Sequence, residues 1–290
     1  MLRARGLAPL GCSSGLRCLS SVPLVRDLST VQQIVDTHDQ HGTRYGPMKL
    51  STSWLTLGKL VLQPAERRLL QGTPEMLQPL AASTEQVLPK FDGHALATTV
   101  NGLANLHASG WSASDALWVG LATHSTSSVR KLNAQELTNT VRGFAKVGRV
   151  ETALFDAVAE ELAERGLHEF TPQGLSNTAW AYAAAGHNAP ALFDAVSHEA
   201  VQLGLRKFKP QELANTAWAY AKAGHAAPAL LDAIAREATP RLCNFTAQCL
   251  ANTAWAFATT SHAAPALFDA IAKEAAHRGL RDFKPQELSN

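Results

Sequence analysis

Four asparagines recur along the chain, Asn139, Asn177, Asn215 and Asn252, separated by 38, 38 and 37 residues. A tryptophan stands three residues beyond each of the last three, at Trp180, Trp218 and Trp255. In the first copy Arg142 takes that place, and Lys146 and Lys222 lie four residues further on in their copies. The chemistry open to this set is recognition without bond making. An indole offers a flat face on which a nucleobase stacks, at about 1–3 kcal/mol per base. A carboxamide pairs with base edges and a cation meets phosphate. The same set has a structural reading. Identical side chains read every position alike, so Trp wedged between units and Asn tying one helix to the next explain the repetition more economically. Selective contact then falls to positions that differ between copies. These are the series Thr138, Ser176, Ala214, Ala251, Ser289; the series Glu136, Gly174, Glu212, Cys249, Glu287; and the series Lys146, Ala184, Lys222, Thr259. Arg142 and Lys222 are expected to be exposed, with Arg142 the best single phosphate or base contact.

Other recurrent groups invite catalysis less. Asp156, Asp194, Asp232 and Asp269 repeat, as do Glu161, Glu199, Glu237 and Glu274. Glu161–Arg165, Glu237–Arg241 and Glu274–Arg278 have the favourable i,i+4 order, worth about 0.2–0.5 kcal/mol each on a helix. His187, His225 and His262 occur once per unit. Metal ligands must converge on one ion, whereas stacked loops lie about 10 Å apart. These histidines read as helix-end residues favoured by the dipole. Cys243 and Cys249 lack CxxC spacing, and the chain contains no Gly-rich phosphate loop, HExxH or GxSxG. The expectation is no catalytic residue, no metal, no cofactor and no enzyme.

The elements that position the Asn–Trp set follow from the repeat itself. One unit runs FKPQELANTAWAYAKAGHAAPALLDAIAREATPRL, from Phe208 to Leu242. Proline suits a first helical turn and glycine the position just past the last, so helix A spans about Pro210 to Ala223 before Gly224, and helix B starts at Pro228. The spacing predicts helix pairs near 134–147/152–164, 172–185/190–202, 210–223/228–238 and 247–260/265–277. On helix A, Leu213, Ala217, Tyr220 and Gly224 share one arc, the core seam; Gln211, Asn215, Trp218 and Lys222 share a nearly opposite one. On helix B, Leu230, Leu231, Ile234 and Ala238 form the apolar side. Two degenerate units precede these, one carrying Leu96, Thr98 and Gly102, the other LSTSWLTLGKL at Leu50–Leu60. The fold class expected is all-α, an α-solenoid of tandem helix–turn–helix repeats of about 38 residues. Residues 91–290 form the tandem repeats, and 31–90 a divergent N-terminal repeat or cap and linker.

The first 30 residues hold Arg3, Arg5, Arg17 and Arg26 against Asp27, with several serines. That composition is organelle-targeting rather than secretory, because Gly, Pro and Ser interrupt every apolar run. Arg17-Cys18-Leu19-Ser20-Ser21 predicts cleavage near Leu19–Ser20 and import into the mitochondrial matrix, with a plastid the alternative. The segment carries +3 of the total +2, leaving −1 on residues 31–290. A near-neutral repeat region argues against avid, sequence-blind RNA binding. At 46% hydrophobic and 17% charged residues the composition is globular. No apolar run reaches the roughly 18 residues of a membrane span, so no membrane insertion is expected. The chain ends at Asn290, inside helix A of a new unit. The last repeat therefore reads as truncated, with Leu267, Phe268 and Ile271 partly uncovered.

PQELANTAWAYAKAG followed by APALFDAIAREA, at this period, resembles the octotricopeptide repeat of algal organelle proteins. It is similar also to the helical repeats of FAST-kinase-like and RAP-domain proteins and of the kinetoplastid RNA-editing substrate-binding complex. The resemblance covers about residues 90–290. It implies binding of single-stranded organellar RNA in processing, stability or translation, within ribonucleoprotein assemblies. A protein-interaction scaffold among other ribonucleoprotein components is the alternative.

Overall fold

A computed structural model of the chain describes residues 24–279 and 283–284, all in helices, turns and connectors with no strand among them. The first 23 residues, with the cleavage expected near Leu19–Ser20, and residues 285–290 lie outside the described residues. So do Glu287 and Ser289 of the variable series and most of the helix expected from Phe283.

Fourteen α-helices are present among the described residues. They are α1 (Val31–His41), α2 (Pro47–Leu60), α3 (Pro64–Gly72), α4 (Gln78–Val87), α5 (Gly93–Ala108), α6 (Asp115–Ser128) and α7 (Ala134–Lys146). There follow α8 (Thr152–Arg165), α9 (Pro172–Ala185), α10 (Pro190–Leu203), α11 (Pro210–Ala223), α12 (Pro228–Ala238), α13 (Ala247–Thr259) and α14 (Pro265–Arg278). The four repeat hairpins α7/α8 to α13/α14 fall within a residue of the expected boundaries. The A helices α2, α5, α7, α9, α11 and α13 stack in one layer, and α4, α6, α8, α10, α12 and α14 in the other. The chain is thus an all-α solenoid, and LSTSWLTLGKL occupies α2, packed on α5 as α9 packs on α7.

Helix ends carry the signals that start and stop them. Asn133 and Glu136 form a capping box at α7, each side chain accepting from the other's backbone N–H at 2.9 Å. Thr171 and Thr246 cap α9 and α13. Gly186 and Gly224 close α9 and α11 in the left-handed region, at φ 65°. The His187 and His225 backbone N–H groups complete the turn on Tyr182 O and Tyr220 O, both at 3.1 Å. After α13 the left-handed place is held by Ser261, at φ 52°. A side chain there costs about 1 kcal/mol. Ser261→Gly is expected to stabilise the chain by up to that amount; a lower urea midpoint would show that the serine is not strained.

The 37-residue interval is resolved within helix B. α12 stops at Ala238, and a 3₁₀ turn over Thr239–Asn244 replaces the last helical turn, because Pro240 cannot continue the helix. Glu161–Arg165 and Glu274–Arg278 pair at 2.5 and 2.6 Å. Glu237–Arg241 does not, since Arg241 lies in the 3₁₀ turn, out of helical register. The three arginines share another task. Arg165 donates to Leu132 O, Arg241 to Phe208 O and Arg278 to Phe245 O, at 2.7, 2.8 and 2.5 Å. Each thereby ties the end of helix B to the carbonyls just before helix A of the same hairpin.

Between hairpins the core is made by Leu and aromatic side chains. Leu213, Ala217 and Tyr220 are buried in the expected seam, as are Leu230, Leu231, Ile234 and Ala238 of helix B. Tyr182 and Tyr220 are fully buried, and their hydroxyls donate across the unit boundary to Phe155 O and Phe193 O at 2.7 and 2.6 Å. Burial above all pushes both phenols up from their ordinary value, so they act as donors. At the last hairpin Leu267 and Ile271 are buried after all, and only Phe268, 36% exposed, is open where Phe155 and Phe193 are covered by the next unit.

Candidate nucleic-acid interface

The stripe of Gln211, Asn215, Trp218 and Lys222 faces away from the core seam on α11, so its members are exposed or half-buried. The same holds for Asn139, Asn177, Asn215 and Asn252 and for Trp180, Trp218 and Trp255 on α7 to α13. Successive A helices leave three grooves between their N-terminal halves. The first, about 430 Å³, is lined by Gln135, Asn139, Gln173 and Asn177. The second, about 400 Å³, is lined by Arg142, Gln173, Asn177, Trp180, Gln211 and Asn215. The third, about 320 Å³, is lined by Lys209, Gln211, Asn215, Gln248 and Asn252.

Asn does not tie the helices together. The side chains of Asn139, Asn177, Asn215 and Asn252 make no hydrogen bond to any described residue, nor do those of Gln135, Gln173, Gln211 and Gln248. The ties are made one position back. The Thr138 and Thr178 hydroxyls meet at 3.0 Å, and Ser176 donates to Glu212 O at 3.1 Å. Thr138, Ser176, Ala214 and Ala251 are buried, which removes the first variable series from any readout. The second is spent on helix starts. Glu136 and Glu212 accept from the N-cap N–H groups, and Cys249 is buried. Only Lys146, Ala184, Lys222 and Thr259 remain at the surface.

The tryptophans are not buried wedges. Trp180, Trp218 and Trp255 pack one side against the core and keep the other open. Their Nε1–H groups have no partner among the described residues. In the N-terminal units, by contrast, Trp54 donates to Thr84 Oγ1 at 2.9 Å and Trp111 to Pro74 O at 2.8 Å. Trp218 and Trp255 stand with ring centroids 6.3 Å apart, tilted by 34°.

Arg142 is half-buried, not exposed as expected, and pairs with no carboxylate or carbonyl among the described residues. Burial lowers its pKa from the ordinary value. Lys146, one turn on, donates to Asn105 Oδ1 at 2.6 Å; burial lowers its pKa first, and the Arg142 charge adds to that. Lys222 is exposed.

The glutamine of the expected stripe recurs four residues before each asparagine, one helical turn away. One joint escaped the sequence reading. The histidines are not isolated helix-end residues. His187, His225 and His262 meet Asp156, Asp194 and Asp232 of the preceding helix B at 2.9, 2.8 and 2.8 Å. Both residue types recur with the same period, which is how this joint could have been found. No group of three metal-ligating side chains converges among the described residues, and no described helix is long and apolar enough to cross a membrane. No curated protein matches the chain. The family model described as Tbc2 translation factor, N-terminal domain, matches residues 88–290, every hairpin from α5 onward. The chain belongs to the family of the Tbc2 translation factor N-terminal domain.

Proposed function

We propose that the chain binds single-stranded RNA along its A-helix layer and acts in translation or processing of organellar transcripts. One observation carries the reading. Asn139, Asn177, Asn215 and Asn252, half-buried, with the exposed glutamines a turn away and three indole N–H groups, form a polar row that pairs with nothing among the described residues. Water meets these groups in the free chain, and a ligand with matching donors and acceptors can take its place. Nucleobase edges supply the donors and acceptors that amides match, and a phosphate supplies the charge that Arg142 lacks. The translation-factor description of the family supports RNA or ribonucleoprotein partners, and the octotricopeptide-like motif supports an organellar setting. With few cations on the face, affinity rests on stacking and amide pairing more than on charge.

Localisation to the mitochondrial matrix, with a plastid the alternative, rests on the arginine-rich, acid-poor leader. The test joins import and binding. The full chain, incubated with isolated mitochondria, is expected to be imported, cleaved near Leu19–Ser20 and crosslinked to RNA. In vitro, Arg142→Ala and Lys222→Ala should fold like the parent and each reduce the slope of log K against log salt by about 0.7. A parent that binds no single-stranded RNA even at low salt, yet crosslinks to proteins in the organelle, would replace this reading by the protein-scaffold one.

A further inference from the structure

We infer that Trp218 and Trp255 form a slot that takes one nucleobase of a single-stranded RNA between their rings, an inference that rests on the RNA-binding reading above. Two aromatic layers with a base between them need about twice the 3.4 Å stacking rise, roughly 6.8 Å in all. The two centroids stand 6.3 Å apart. A flat ring fits between them once the rings turn parallel and face to face and their centroids move about half an ångström further apart. Both rings are half-buried side chains on the same face of neighbouring A helices, and each keeps part of its ring open. Trp180, one helix earlier, makes no ring contact among the described residues, which makes the α11–α13 pair the place where two indoles come close to one another.

The surroundings fit a base rather than an apolar side chain. Asn215 and Asn252 lie three residues before the two tryptophans, nearly one helical turn away, with their amides unpaired. Gln211 and Gln248 continue the polar rim. On the other side Lys222 is exposed one turn further on, in reach of a phosphate flanking the stacked base. An apolar peptide side chain entering the slot would leave that amide rim unsatisfied, whereas a base edge satisfies it. Stacking discriminates weakly among bases, so the slot anchors the strand and fixes its register rather than choosing a sequence.

The experiment uses the full chain and a short random-sequence single-stranded RNA in which 5-iodouridine replaces uridine, at low salt. Irradiation crosslinks an iodinated base to an aromatic ring stacked on it. Crosslinks mapped by mass spectrometry are expected at Trp218 and Trp255. Trp218→Leu and Trp255→Leu are each expected to abolish the crosslink and weaken binding about 5- to 150-fold. Trp218→Phe, which keeps a ring, should restore most of both. Circular dichroism melting confirms that each variant is folded. If the parent binds RNA but crosslinks only elsewhere, or if the Leu variants bind like the parent, the slot is wrong while RNA binding stands. If the parent binds no RNA at all, the slot and the reading beneath it both fall.

Discussion

Tyr220→Ala is expected to lower the unfolding free energy by about 3–5 kcal/mol, the cost of removing a large buried aromatic. Trp218→Ala, two residues earlier on α11, should cost far less. The phenol ring is 0% exposed and lies against Phe193 at 5.1 Å, edge to face. Its hydroxyl satisfies Phe193 O across the unit boundary. Trp218 keeps an open face, so its truncation leaves no closed cavity. Urea unfolding of the two variants side by side measures the difference. Tyr220→Phe isolates the hydroxyl, at about 0.5–1.5 kcal/mol, and the equivalent place in α13 is already Phe257. A Trp218→Ala as damaging as Tyr220→Ala would mean that the indole is the wedge between units and that the binding face lies elsewhere.

Gly102→Ala is the second large effect, about 3 kcal/mol of destabilisation, the upper end of the usual cost of overpacking. In an open helix the same change stabilises by about 1 kcal/mol, so the sign alone decides. A Cβ on Gly102 would sit 2.4 Å from Trp54 O and 2.9 Å from Leu55 N, both backbone atoms of α2. No rotamer change relieves that contact; α2 and α5 would have to separate, and Gly58 facing Gly102 shows how close they run. Gly72→Ala at the end of α3, where nothing lies within 4 Å, serves as the control and should be neutral or stabilising. The readout is the thermal midpoint. A midpoint for Gly102→Ala at or above the parent's would mean that α2 and α5 pack less closely than described.

The period and the Pro and Gly punctuation made the hairpins legible, because α10, α12 and α14 start at a proline and α9 and α11 stop at a glycine that takes positive φ. The two arcs of helix A were legible for the same geometric reason. What the sequence concealed is the division of labour inside each arc. Asn and Trp repeat unchanged, and repetition looks the same whether a residue holds units together or faces a ligand. Only burial and partners separate the two: Tyr182, Tyr220 and Thr138 hydrogen-bond across the boundary, while the side chains of Asn177, Asn215, Trp180 and Trp218 make no hydrogen bond among the described residues. Variability misled as well. Thr138, Ser176, Ala214 and Ala251 differ because a buried inter-helix gap accepts several small side chains, not because they read a ligand. Arg142 was the clearest single signal, since a cation substituted into an aromatic series has no packing rationale.

The α9/α10 and α11/α12 units each carry both halves of their own joint. Asp194 on α10 faces forward to His225, while His187 and Tyr182 on the leading side face back to Asp156 and Phe155. Among the described residues no tie of this kind skips a neighbour. A tandem duplication of one unit therefore delivers a matching plug and socket together, and the new copy couples to old neighbours without any compensating substitution. An array built this way lengthens or shortens by whole units in a single genetic event, and the number of positions along the A-helix face changes in step while every existing position stays as it was.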